Sequence, residues 1–130
     1  MTKHILTIDD EESIRQILVE LLTAEGYRVS TADSAQEALR VVKEDPPHLI
    51  ISDLQMEDAD GLELIEKMKE SLPAVPIILL TGVTFDPEVI QESISQKVSV
   101  YLTKTSSLQK LLQAVQRLLG DVKPDGSPSI

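Results

Sequence analysis

Apolar runs of strand length alternate with segments of helical period along the whole chain, and this alternation restricts the fold more than any other feature. A chain that repeats strand, helix, strand builds a parallel sheet with helices packed on both faces, because each crossover helix must bury its apolar stripe against the strands it joins. Five units are legible. The strands read KHILTI over 3–8, YRVSTA over 27–32, HLIIS over 48–52, PIILL over 76–80 and VSVYLT over 98–103. Several are nearly continuous in apolar residues, as strands covered on both faces are; others alternate, as edge strands do. The first helix carries Ile14, Ile17, Leu18, Leu21 and Leu22 on one face, and the fifth carries Leu108, Leu111, Leu112, Val115, Leu118 and Leu119. A second follows Ser34 with Ala35, Ala38, Leu39 and Val42, and a third follows Gly61 with Leu62, Ile65 and Met68. The fourth, over 86–96, has a thin apolar face of Val89, Ile90 and Ile94, so it is expected to be the least firmly held.

The length of 130 residues fits one domain with a core of its own. That domain is read over 1–119, and the Pro-, Gly- and Ser-rich segment 120–130 as a flexible tail or the start of a linker. A formal net charge of −10 argues against direct nucleic-acid binding and against anionic membranes, and the 2% aromatic content leaves no stacking platform for single strands. The absence of cysteine excludes thiol chemistry and soft-metal cages. The apolar run Ile5–Ile8 is too short for a signal-peptide core or a membrane span, which points to a cytoplasmic protein.

In a parallel sheet the residues just past the carboxyl ends of the strands gather on one edge, where ligands bind. Here that edge receives Asp9 and Asp10 after the first strand, Asp53 after the third, Thr81 after the fourth and Lys104 after the fifth. Two carboxylates about 4 Å apart repel by on the order of 4 kcal/mol at an effective dielectric of ~20 before solvent screening. A hard divalent cation held by oxygen ligands would offset this, and an all-carboxylate set without His or Cys favours Mg²⁺ or Mn²⁺ over zinc. With the Lys104 ammonium and the Thr81 hydroxyl alongside, the set suits a phosphoryl group. Taken singly, each residue has a plainer structural reading. The acids from Asp9 to Glu12 favour a helix N-terminus, Asp53 suits a turn, Thr81 and Lys104 suit loops, and Tyr101 suits any strand. Turn chemistry does not call for these types at the ends of four strands at once.

The motifs IDDEE, SDLQMEDADG, LLTG and YLTK, in this order and at these strand ends, resemble those of the receiver domain of two-component response regulators. The resemblance spans about residues 3–119 and is of the chemotaxis-regulator type. It implies a flavodoxin-like, doubly wound, five-stranded parallel sheet of order 2-1-3-4-5 with five helices. It further implies that Asp53 accepts a phosphoryl group from a histidine kinase or histidine phosphotransfer protein. Asp9, Asp10, Asp53 and the backbone carbonyl of Gln55 would hold Mg²⁺ or Mn²⁺, and Lys104 would pair with the phosphoryl group. Thr81 and Tyr101 would form a switch that reshapes the face of the fourth helix, fifth strand and fifth helix toward a downstream effector or a C-terminal output domain. Such a chain is a phosphoacceptor signalling domain that assists its own modification, not an enzyme acting on a separate substrate.

The chain departs from the family pattern at three places. Glu57 stands where Pro is common, Thr105 follows Lys104 where Pro, usually cis, is typical, and Lys97-Val98 replaces a frequent Gly-Ala pair. A cis bond before a non-proline residue costs ~2.5–4 kcal/mol, so a trans or strained Lys104–Thr105 bond is expected, and the reach of Lys104 becomes a structural question. Two other functions fit parts of the pattern. A magnesium phosphohydrolase with an aspartyl nucleophile would need a D-x-D motif, but the chain reads Asp53-Leu54-Gln55 and has no cap insertion. A receiver-like module that binds its partner without phosphorylation would tolerate the altered loops.

Overall fold

The apolar runs form a five-stranded, all-parallel sheet in the computed structural model, which describes residues 2–53, 61–82, 98–104 and 108–120. In chain order the elements are β1 (His4–Ile8), α1 (Glu12–Ala24), β2 (Arg28–Ala32), α2 (Ala35–Glu44), β3 (Leu49–Ser52), α3 (Gly61–Ser71), β4 (Ile77–Thr81), β5 (Val100–Thr103) and α4 (Leu108–Leu118). The last is the fifth helix expected from the sequence. The one expected over 86–96 lies outside the described residues, as do residues 54–60, Lys97, Thr105 and the tail beyond Gly120.

The strand order is β2-β1-β3-β4-β5, as expected for a flavodoxin-like sheet. Side chains alternate across a strand, so each apolar run feeds two cores. Leu6, Ile8, Ile50, Ile77 and Leu79 meet Ala38 and Val42 of α2 and Ile65 and Met68 of α3 on one face. Ile5, Leu49, Ile51, Ile78 and Leu80 meet Leu18 and Leu22 of α1 and Leu111 and Val115 of α4 on the other. The inner strands β1, β3 and Ile77–Leu80 of β4 are buried, which accounts for their largely apolar sequence, and the two edge strands, β2 and β5, are the more exposed ones. Ser34 caps α2 by accepting the Glu37 backbone N–H at 3.2 Å. Among the described residues no helix is long and apolar enough to cross a membrane.

At the sheet edge opposite the strand carboxyl ends lies a polar cluster with no signal in the sequence. His4 is wholly buried, its Nε2 2.7 Å from Ser30 Oγ, and its backbone N–H donates to His48 Nδ1 at 2.8 Å. Its Nδ1 has no hydrogen-bond partner among the described residues and stands 3.8 Å from Asp45 Oδ1, a carboxylate already engaged by Nη1 and Nη2 of Arg28. Burial, aided by the Arg28 charge, holds the His4 pKa below 6.5 against the opposing pull of the Asp45 carboxylate. A histidine with a depressed folded pKa takes up its proton more readily when unfolded, so its contribution to stability is present at neutral pH and is lost as pH falls below about 6.5. Urea denaturation between about pH 7 and pH 5 is expected to show wild type losing up to about 1.4 kcal/mol per pH unit relative to His4→Gln, whose side chain does not titrate. Parallel pH profiles for the two proteins would contradict this assignment.

Candidate functional site

The strand order reverses between β1 and β3: the chain leaves β1 toward β2 on one side and leaves β3 toward β4 and β5 on the other. Crossover helices at such a point diverge to opposite faces, which opens a crevice at the strand carboxyl ends. β1 and β3 end in register, Ile8 opposite Ser52, so the next residues, Asp9 and Asp53, stand side by side. Both are pinned through their backbones: Asp53 N–H donates to the Ile8 carbonyl and Asp9 N–H to the Ala32 carbonyl, each at 3.1 Å. Each residue is only 2% exposed, whereas Asp10 is open to solvent. Asp9, Asp10 and Asp53 each bring a carboxylate oxygen within 4.8 Å of the others, a hard, all-oxygen donor set of the kind that holds a divalent cation.

Lys104 reaches this cluster from the end of β5. Its Nζ lies 2.8 Å from Asp53 Oδ2, 3.0 Å from Asp9 Oδ2 and 2.9 Å from Glu11 Oε1. Its stem passes Gly82, where an added Cβ would stand 3.6 Å from Lys104 Cδ. The reach that Thr105 put in question is therefore sufficient. Burial works to lower the Lys104 pKa, but hydrogen bonds to Asp53, Glu11 and Asp9 outweigh it and hold the ammonium above the ordinary lysine range. At Asp9 burial raises the carboxyl pKa, opposed by the Glu11 backbone N–H, which donates to Oδ1 at 2.9 Å, and by Lys104. Arg15 adds a further positive group, donating from Nη1 to the Asp9 carbonyl at 2.6 Å.

Of the residues singled out from sequence, Asp9, Asp10, Asp53 and Lys104 thus come together. Thr81 ends β4 opposite Thr103, but its side chain falls outside the described part of the structure, as does Gln55. Tyr101 is half-buried on β5, packed against the core shared with α2 and α3. In the sequence Glu11 reads only as part of an acidic helix start; its contact with Lys104 joins residues 93 apart in the chain and leaves no local signal.

The family model described as response regulator receiver domain matches residues 5–116. The chain belongs to that family. The receiver domain is 36% identical over 121 residues to the transcriptional regulatory protein GlrR of Escherichia coli, covering 93% of this chain and 27% of that protein. It is 32% identical over 129 residues to the response regulator MprA of Mycobacterium leprae, covering 94% of this chain and 53% of that one. Among solved structures, the chemotaxis protein CheY4 of Vibrio cholerae superposes with a TM-score of 0.82 at 32% identity, covering 91% of this chain and 99% of that chain. The chain therefore spans about a quarter to a half of the curated relatives named here. It is a signalling domain of two-component systems, in a family whose general function is to accept a phosphoryl group.

Three carboxylates, Asp9, Glu11 and Asp53, share the Lys104 ammonium at this edge, and the Asp10 carboxylate stands beside Asp9 and Asp53. Removing one partner of a largely buried ion pair leaves the remaining charge uncompensated. Lys104→Ala is expected to lose about 1–3 kcal/mol in urea denaturation without divalent ions, and to regain a larger increment than wild type on adding millimolar MgCl₂. Equal magnesium increments in the two proteins would show that Lys104 and a cation do not compensate the same carboxylates.

Proposed function

We propose that Asp53 is the phosphoacceptor of this receiver domain and that a histidine kinase or histidine phosphotransfer protein is its donor. The observation that carries this reading is the Asp53 carboxylate, nearly buried at the sheet's switch point, with the Lys104 ammonium 2.8 Å from Oδ2. An Asp53 oxygen attacks phosphorus in line with the donor nitrogen; the O–P bond forms as the P–N bond breaks, and the electron pair returns to the imidazole ring. Lys104 holds an equatorial oxygen as charge develops on it. Asp9, Asp10, Asp53 and the Gln55 carbonyl would hold Mg²⁺ or Mn²⁺, which when bound neutralises charge on the phosphoryl oxygens. Hydrolysis reverses the modification: water attacks phosphorus, the acyl oxygen leaves as the Asp53 carboxylate, and inorganic phosphate departs.

The modified domain acts through its surface. The phosphoryl group adds roughly 1.5–2 negative charges at neutral pH. The Thr81 hydroxyl moves toward the new oxygens, the Tyr101 ring turns inward, and the face of β5, α4 and the helix expected from the sequence over 86–96 changes shape toward an effector or an output domain. Moving such a switch from 1:99 to 99:1 takes about 5.5 kcal/mol of differential contact, within reach of two or three charge-assisted hydrogen bonds. The receiver unit is assigned to residues 1–119, with 120–130 as tail or linker, in a cytoplasmic protein.

Incubation with Mg²⁺ and acetyl phosphate, read by intact mass, is expected to give a single phosphoryl adduct that is lost in Asp53→Ala and on chelation of the metal. An adduct of undiminished yield in Asp53→Ala would move the acceptor elsewhere, and no adduct on wild type would refute the reading.

A further inference from the structure

We propose that Glu11 is a restraining residue of this site: in the resting state it occupies the Lys104 proton that a phosphoryl oxygen needs, and so limits how readily the domain is phosphorylated. The inference rests on the assignment of Asp53 as acceptor.

A lysine ammonium has three protons to donate and no acceptor capacity. All three are spoken for here, by Asp53 Oδ2 at 2.8 Å, Glu11 Oε1 at 2.9 Å and the Asp9 carboxylate at 3.0 Å to Oδ2 and 3.2 Å to Oδ1. An incoming phosphoryl oxygen can be held by Lys104 only if one of these acceptors lets go. The three are not equivalent. The side chains of Asp9 and Asp53 are each 3% exposed, so releasing either strands a charge in a poorly solvated pocket. Glu11 is 56% exposed, and its carboxylate returns to water at little cost. Glu11 is therefore the contact that yields.

The placement of Glu11 is not accounted for by helix capping. It occupies the N-cap of α1 with an extended backbone, yet its side chain makes no capping hydrogen bond. Glutamate is not among the preferred N-cap residues, and the residue's local duties fall to its backbone: the N–H donates to Asp9 Oδ1 and the carbonyl accepts from Arg15 N–H at 3.2 Å. The backbone thus anchors the residue while the carboxylate extends across the crevice to β5. The same charge at the rim also repels an approaching phosphate dianion, so both effects act in one direction.

The test compares wild type, Glu11→Gln, Glu11→Ala and Glu12→Gln. The last makes the same charge change one residue away, on a side chain outside the Lys104 contacts. Initial rates of adduct formation with acetyl phosphate at saturating Mg²⁺ are followed by intact mass against donor concentration. Glu11→Ala is expected to raise the rate at low donor about two- to fivefold, the range an exposed charge pair carries, mainly through a lower half-saturating donor concentration. Glu11→Gln should fall between it and wild type, with Glu12→Gln unchanged. Independently of any phosphorylation, the Lys104 Nζ resonance in lysine-labelled protein should shift in Glu11→Ala and stay in place in Glu12→Gln. An unchanged or slower rate in Glu11→Ala would overturn the proposal, as would an equal acceleration in Glu12→Gln, which would reduce the effect to general charge. If wild type takes up no phosphoryl group at all, the acceptor assignment fails and the restraint falls with it, while the Nζ shift still reports whether Glu11 holds Lys104 in solution.

Discussion

The hydrogen-bonded pairing of β1 with β3 is the constraint from which the site follows. These strands are neighbours in space but not in sequence, and the chain departs from them in opposite directions along the sheet. Their shared register, with the Asp53 N–H bound to the Ile8 carbonyl, aligns two strand ends so that two carboxylates emerge together. A shift of one residue in that register would turn one of them toward the opposite face and bury an apolar side chain of the other core in its place. The two aliphatic cores oppose such a slip, because Ile50 and Ile51 are committed to opposite faces. Packing that bears no relation to chemistry thereby positions the acidic pair.

Electrostatics then gives the edge its character. Clustered carboxylates in a poorly solvated crevice are unstable unless a cation joins them, and Lys104 does so from the far side of the sheet at the end of β5. The same ammonium that compensates the resting cluster is the group proposed to hold the phosphoryl oxygens, so compensation and activation compete for its three protons. Glu11 sits on the exposed margin of that competition, where a contact is cheapest to exchange for another. The opposite end of the sheet handles its charges differently: His4 is buried with one nitrogen unpartnered among the described residues, and Arg28 and Asp45 pair at the surface above it.

Much of this was legible in the residues. The apolar runs placed all five strands to within two residues at each end, and the residue types found at four strand ends pointed to metal and phosphoryl chemistry. Asp9, Asp10, Asp53 and Lys104 were readable because each follows a strand, and strands of one direction share an edge. Glu11 and His4 were not. Glu11 stands in an acidic run whose ordinary explanation is a helix N-terminus, and His4 stands in a strand whose neighbours are apolar; nothing local distinguishes either from the commoner case.

What the sequence determined by itself was the class of fold and the kind of edge it would carry, because side-chain periodicity and strand direction are local properties that compose without further information. What only the tertiary structure decided was which charges share protons. Whether Lys104 reaches Asp53, and whether Glu11 reaches Lys104, depends on distances between segments more than fifty residues apart, set by register and packing across the sheet. A change of about 1 Å in those distances separates a hydrogen bond from a screened pair of charges, and no pattern along the chain encodes a difference that small.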